Sequence, residues 1–401
     1  MPSPCFAVLA RWPVVIDLDR TTIACSLPPT EAQDGFNRMS VAPGRCRPRF
    51  HRRPKPQTWI AAALWLLAAS LLFASAAPAE TPARHLTVAL PAALSPRTIG
   101  FYLAQQSGAF AEHGLLVDFV TAGDSSPAQL LAGGKVDLAV DIMPTALRLR
   151  QDGADIRHVA QFFQHAGLAL YCRPPVKKPA DLHGTSVGIW FDNQESAFYA
   201  WMSQLNISTF GEEDGVTIVR QKSDAQALAD RRLDCITSTS YLLPQQAKLA
   251  KVAAKDLTAF RYEEIGLATL EDGLYARGKD LQDKARLDLF ARFLAGAVQG
   301  WRKAHDDRGT ALHLLTAQPA GNGTNTANIP GADAMTLRES LAAVDALVDA
   351  GKRPIGRLDN NAYDQTVNVL LTGAPEPVLT KAPSGALSKA VWDALRLGSS
   401  D

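Results

Sequence analysis

From His85 onward the chain alternates two hydrophobic periods, and this constrains its fold more than any other feature. Short apolar, β-branched runs read as strands. Stretches with apolar residues three or four apart read as helices. The first series gives strands at 86–90, 116–120, 137–141, 158–163 and 168–172. Between them lie helices at 99–110, where Ile99, Leu103 and Phe110 share a face, and at 144–151 behind Pro144. A short helix opens at Ser126-Pro127, with Ser as N-cap and Pro at the first helical position. The Pro and Gly punctuation of Lys177–Gly184 reads as a crossover to a second series. That series has strands at 186–190, 216–221, 234–238 and 257–262, and helices at 194–205, 225–231 and 244–251. Gly273–Arg277 reads as a returning strand. It is followed by a long helical stretch over 280–318, more helix over 334–350, and looser ends. Strands alternating with helices predict an α/β chain of two lobes, each with a mostly parallel sheet. The boundaries expected are 85–176 for lobe 1, 177–265 for lobe 2, and 266–401 for the return to lobe 1 with C-terminal helices. Ligands of open α/β sheets sit beyond the carboxyl ends of the strands, so the cleft between the lobes is the place to look.

The segment before His85 has another character. Residues 1–58 hold nine Lys/Arg and four Asp/Glu, so a chain of net charge +1 has a body that is mildly acidic, with no electrostatic footprint for nucleic acid. Six basic residues between Met39 and Thr58 precede an apolar run of fifteen, Trp59–Phe73, and then the small residues Ala74–Ala79. This is the order of a secretory signal, and the run is shorter than the about 20 residues of a spanning helix. We expect a signal peptide over 39–79 that directs the chain to the periplasm, with an uncleaved anchor as the alternative. Residues 1–38 fit neither a domain nor a signal and read as a spurious or disordered leader, with Met39 as the start.

Five cysteines are present, and only Cys172 and Cys235 lie in the body, both in apolar strand-like runs. Buried free thiols are expected there. An oxidising compartment permits a bridge, but the spacing does not require one. No CxxC or HExxH pattern occurs, so neither a metal nor a cofactor is expected.

Four segments carry a family resemblance. Ala109–Asp118 and Leu130–Ala139 resemble the periplasmic substrate-binding proteins of the sulfonate, nitrate and thiamine-precursor group. Gly188–Trp201 and Arg261–Tyr275 resemble its branch near the thiamine-pyrimidine-precursor binders. The resemblance spans about residues 85–381. It implies a type II periplasmic-binding-protein fold and a solute-binding component of an ABC import system. That component would be a monomer that meets ABC permease and ATPase subunits, and the membrane only through the permease. A eukaryotic branch of the family makes the thiamine pyrimidine from pyridoxal phosphate and its own histidine, with iron. Laid on that pattern, the chain has Asp141 at the lysine position, Thr145 at the histidine position, and no Cys in Leu267–Glu271. A Schiff base needs an amine, which Asp141 cannot supply. The synthase is therefore the alternative and a binding protein the preferred reading.

The candidate ligand contacts follow the strands. Loop one offers Ser95, Thr98 and Phe101. Loop two offers Asp124, Ser125 and Ser126 at a helix start, either for an anion or polar ligand edge or as plain capping. Asp141 and Met143 follow the third strand, Asp141 as a ligand-facing carboxylate or a helix cap. In the second lobe, Trp190 and Phe191 either stack on a planar ligand or pack between lobes. Asn193 reads as an N-cap, and Glu195 occupies a position that faces the cleft in the family. Thr239 and Tyr241 complete the set. Relatives often carry Tyr-Asn-Glu-Tyr where this chain has Tyr241-Leu-Leu-Pro244. The ligand expected is small, polar and planar: a pyrimidine precursor or related heterocycle before a sulfonate or nitrate.

Overall fold

The computed structural model describes residues 84–221, 225–317, 332–373 and 377–398. The leader at 1–38 and the signal segment at 39–79 lie outside the described residues. Ten strands form two five-stranded sheets. In spatial order, the first sheet is β2 (Leu115–Thr121), β1 (Arg84–Leu90), β3 (Leu138–Asp141), β10 (Gly273–Arg277) and β4 (Ile156–Gln161). The second is β7 (Thr217–Arg220), β6 (Ser186–Ile189), β8 (Cys235–Thr239), β5 (Leu168–Cys172) and β9 (Thr258–Arg261).

In each sheet four strands run the same way and one runs against them, in keeping with the mostly parallel sheets expected. β1 pairs in parallel with β2 and β3, and β6 with β7 and β8. β10 runs antiparallel to β3 and β4, and β5 to β8 and β9. The reason is topological. β5 and β10 are the strands by which the chain enters a sheet from the other lobe. Each therefore starts at the cleft, where its neighbours end. The same pairing corrects the first boundary. β5 belongs to the second sheet, so the chain crosses at 162–167, and Lys177–Gly184 is a connection inside lobe 2.

Helices cover the sheets. In lobe 1 these are α1 (Ile99–Gln106), α2 (Ala109–Glu112), α3 (Pro127–Ala132) and α4 (Met143–Gln151). In lobe 2 they are α5 (Ser196–Leu205), α6 (Gln226–Ala229) and α7 (Leu243–Leu249). The long helical stretch divides into α8 (Lys284–Asp306) and α9 (Arg308–Thr316). The break falls at Asp307, whose carboxylate accepts from Thr310 N at 2.9 Å and caps α9. α8 crosses α1 closely. A Cβ on Gly100 would lie 2.1 Å from the Trp301 ring, and one on Gly300 would lie 2.1 Å from the Gly100 carbonyl. Only glycine fits at either position.

The C-terminal helices touch both lobes. α10 (Ala334–Val348) puts Leu337, Leu341 and Val344 into the lobe 1 core, while Gln245 of α7 donates to Ser340 Oγ at 3.2 Å. α11 (Asn360–Thr372) packs Val367 and Leu370 with Met143 and Leu147, and Val369 with the lobe 2 core. A last helix, α12 (Ala390–Gly398), follows. The expected free thiols are not free. Cys172 and Cys235, register partners on β5 and β8, form a disulfide. Among the described residues no helix is long and apolar enough to cross a membrane.

Candidate functional site

The strands β1, β3, β4, β6, β8 and β9 end at the cleft, and β5 and β10 begin there. An ionic cluster that no sequence pattern singled out occupies its centre. Arg97, in loop one, donates through Nε to both carboxylate oxygens of Asp272, at 2.9 and 3.0 Å, and through Nη2 to Oδ1. Asp272 immediately precedes β10 and its side chain is 1% exposed; that of Arg97 is 21% exposed. The adjacent Glu271 accepts from Gly167 N (2.7 Å), Leu168 N (2.9 Å) and the Tyr241 hydroxyl (3.1 Å). The Arg97 guanidinium lies 5.9 Å from the centre of the Tyr241 ring. Burial works against the Arg97 charge, but Asp272, Tyr241 and Glu271 outweigh it and raise its pKa well above the usual value. Glu271 also lashes the outgoing crossover to the returning one. Glu263 does the same through Ala166 N (3.1 Å) and His165 Nδ1 (2.5 Å). The sequence clue to this cluster was adjacent acids, Glu271-Asp272, beside a buried strand, since buried carboxylates need partners.

The structure distributes the sequence-predicted contacts unevenly. Ser95 and Thr98 hold loop one together: Ser95 N donates to Thr98 Oγ1 at 3.1 Å, and Thr98 Oγ1 donates to Ala93 O at 2.7 Å. Phe101 points into the lobe 1 core, edge-on to Phe162 at 4.9 Å and to Trp301 at 5.5 Å, so it is a core residue and not a ligand contact. Ser126 caps α3 by accepting from Gln129 N at 3.2 Å, while Asp124 and Ser125 are exposed beyond the edge strand β2. Asp141 accepts from Ala128 N (2.9 Å) and Ile142 N (2.8 Å), tying the start of α3 to the end of β3. Burial pushes its carboxyl up to about 6 against those hydrogen bonds. Met143 is buried among Leu147, Leu270 and Leu370.

On the lobe 2 side the predicted residues do gather. Asn193 is not the N-cap of α5, a position held by Glu195. It adopts a left-handed φ of 69° and donates through Nδ2 to Thr145 Oγ1 at 3.3 Å across the cleft. Thr145 donates in turn to Asp192 O at 3.5 Å, so the lobes meet here. Phe191 lies under the Arg220 guanidinium at 4.6 Å. Thr239 and Tyr241 are each 2% exposed at the end of β8. Trp190 Nε1, a donor, and Glu195 Oε2, an acceptor, are both buried without a hydrogen-bond partner. Burial raises the pKa of Glu195, and neighbouring Asp192 adds to the rise. Two cavities of about 380 and 410 Å³ open elsewhere, around Arg357 and Asn360 beside β4.

Glu271 has a measurable pH signature. Burial pushes its carboxyl up to about 7, with Arg97 opposing and Asp272 reinforcing. An acid whose folded pKa exceeds its unfolded value of about 4.3 keeps its proton longer in the folded state. Stability therefore falls as pH rises from the unfolded pKa through the folded one. Glu271→Gln, which cannot ionise, is expected to gain about 2 kcal/mol on the wild type between pH 5 and pH 8. Urea melts of both chains at the two pH values check this. The other titrating groups remain in both chains and cancel. An identical pH difference in the two chains would show that Glu271 is ionised throughout.

The model of the family described as NMT1/THI5 like matches residues 95–311, from loop one through both crossovers to α9. The chain belongs to the NMT1/THI5-like family. No curated protein matches it. Among solved structures, a Bordetella bronchiseptica protein aligns with TM-score 0.57 and 17% identity over 80% of this chain and 98% of that one. The putative periplasmic sulfonate-binding protein SsuA of Methylobacillus flagellatus aligns with TM-score 0.54 and 16% identity over 79% and 95%. The desulfurization enzyme DSZB aligns with TM-score 0.51 and 17% identity over 79% and 99%. At these identities the likeness is one of fold, and the fold is that of periplasmic binding proteins. Binding proteins and an enzyme share it, so the residues of this NMT1/THI5-like cleft have to carry the functional argument.

Proposed function

We propose that this NMT1/THI5-like chain is the solute-binding component of an ABC import system, exported to the periplasm, and that its cleft holds a small, polar, planar molecule such as a pyrimidine or related heterocycle. The observation that carries the reading is on lobe 2: in the segment from β6 to α5, the half-buried Trp190 and Glu195 each have a buried polar atom, the indole N–H and the carboxylate Oε2, without a hydrogen-bond partner. Buried donors and acceptors left unpaired cost free energy, and a bound heterocycle restores the missing bonds while stacking on the ring. The Cys172–Cys235 bridge supports export, since such bridges persist in oxidising compartments. The synthase reading has no such support. Asp141, at its lysine position, is occupied in holding α3 to β3.

A ligand panel tests this. A molecule that binds only the folded chain, present at about 100 times its Kd, stabilises it by about 2.7 kcal/mol. Thermal melts with 4-aminopyrimidines, nitrate and alkanesulfonates are expected to shift with a heterocycle, and Trp190→Ala is expected to abolish the shift. A panel with no shift from any heterocycle, but one from a sulfonate, would overturn the planar ligand.

A further inference from the structure

The two cavities beside β4 adjoin, since Arg357, Leu358 and Asn360 line both. β4 is an edge strand, and two C-terminal segments attach to its outer side. At one end His158 N donates to Ala386 O at 2.8 Å, and Ser388 N donates to His158 O at 2.9 Å. At the other, Gln161 and Gly356 exchange backbone bonds of 3.1 and 3.0 Å. The first cavity, about 380 Å³, is lined by residues of both attachments and lies within the usual range of small-molecule sites, about 300–1,000 Å³. His158 lines it and is 3% exposed. Gln161 fixes the state of its ring. Gln161 Nε2 donates to Phe163 O at 2.8 Å and to Glu271 O, so Gln161 Oε1 is the acceptor for His158 Nε2 at 2.8 Å. Burial pushes the His158 pKa down to about 4 against that hydrogen bond, so at neutral pH the ring is neutral and Nδ1 holds a lone pair. A Cβ on Gly273 of β10 would lie 2.8 Å from His158 Cδ2 and 2.9 Å from Nε2. That edge of the ring therefore faces β10, and Nδ1, across the ring, faces the cavity. Among the described residues Nδ1 has no hydrogen-bond partner.

We propose that this cavity is a second small-molecule site, separate from the cleft, and that it takes a small aromatic carboxylate bearing a hydroxyl group, of the hydroxybenzoate class. Exposure orders the contacts from floor to rim. At the floor, His158 Nδ1 accepts from the ligand hydroxyl, which supplies the donor that a buried acceptor lacks. The wall is Trp392 of α12, half-buried and packed on Gly356, where a Cβ would lie 3.1 Å from the indole Cζ3. An aromatic ring packs against that indole. At the rim stand Arg357 and Lys389, both exposed and neither paired with an acid among the described residues. Asp393 is the one acid in the lining of this cavity, so its rim is left with a net positive charge. Arg353, in the adjoining cavity, is already paired with Asp349 and Asp359. A carboxylate at the rim gains charge-assisted hydrogen bonds from Arg357 and Lys389.

Three probes separate the contacts: 4-hydroxybenzoate, benzoate without the hydroxyl, and 4-hydroxybenzamide without the charge. Each is titrated calorimetrically into the full processed chain at pH 7.5. 4-Hydroxybenzoate is expected to bind about tenfold tighter than either of the others, the value of one hydrogen bond to a buried acceptor or of one charge-assisted bond. Arg357→Gln/Lys389→Gln is expected to bring 4-hydroxybenzoate down to the level of 4-hydroxybenzamide and, with both side chains exposed, to keep the urea midpoint of the wild type. Trp190→Ala, which alters the cleft, is expected to leave 4-hydroxybenzoate affinity unchanged. Benzoate binding as tightly as 4-hydroxybenzoate overturns the role of His158, and 4-hydroxybenzamide doing so overturns that of the rim. Binding lost in Trp190→Ala and kept in Arg357→Gln/Lys389→Gln puts the ligand in the cleft and overturns the second site. No saturable heat from any probe means that the cavity holds water alone, and it overturns the site while leaving the binding-protein reading of the cleft standing.

Discussion

Arg97→Ala is expected to cost about 3–5 kcal/mol of stability, the usual result of removing one partner from a buried ion pair. The cost comes mainly from what stays behind. Asp272 is 1% exposed, sits at the cleft end of β10 beside Glu271, and has Arg97 as its bidentate partner. Without the guanidinium, two adjacent carboxyls face each other in a poorly solvated site, and at least one must take up a proton or draw in water. The hydroxyl of Tyr241, held by Glu271 and near the guanidinium, loses its setting too. Urea melts at pH 7.5 measure the effect. The double variant Arg97→Met/Asp272→Leu separates the explanations, because replacing a whole buried pair with apolar side chains is often neutral. It is expected to recover most of the loss. A change below about 1 kcal/mol for Arg97→Ala would mean that water reaches the pair and that it behaves as a surface salt bridge.

Sequence and structure agree where the information is local. Runs such as Leu86–Leu90 and Ser186–Ile189 announce strands, because β-branched and apolar residues fit a pleated sheet covered on both faces. The cleft followed from where such strands end. Sheet membership did not follow, since Leu168–Cys172 reads as the same buried strand whichever sheet receives it. This is why the crossover lies at 162–167 and not at 177. Phe101 was misplaced for a related reason: α1 is buried from Ile99 through Ala104, and periodicity cannot choose a face on a helix without an exposed one. Arg97 and Asp272 are separated by 175 positions, and nothing local in loop one distinguishes a buried arginine from a solvated one. Trp190 and Glu195 could be named from position, but that Nε1 and Oε2 are buried without a partner is a property of packing alone.

The disulfide marks the same limit and gives the second large effect. Two strand-borne cysteines are bridged when their strands lie side by side in register, and only the folded sheet sets Cys172 opposite Cys235. The bridge spans a sequence separation of 63, and in the chain-entropy account a loop of that size stabilises by about 4 kcal/mol. β5 is the strand by which the chain enters lobe 2 and pairs with β8 on one side and β9 on the other, so the bridge pins the crossover strand to the middle of its sheet. Cys172→Ala/Cys235→Ala is expected to lower the urea midpoint by an amount equivalent to about 3–4 kcal/mol, and reductant is expected to weaken the wild type but not the variant. Both thiols lie in the lobe 2 core, so part of the loss in the variant is packing; the reduced wild type, which keeps both sulfur atoms, isolates the covalent share. Thiol titration of the unfolded, processed chain is expected to find no free thiol after export and two after synthesis in a reducing compartment. Two free thiols in the exported protein, or reductant without effect on the wild type, would remove the bridge and with it one support for an oxidising destination.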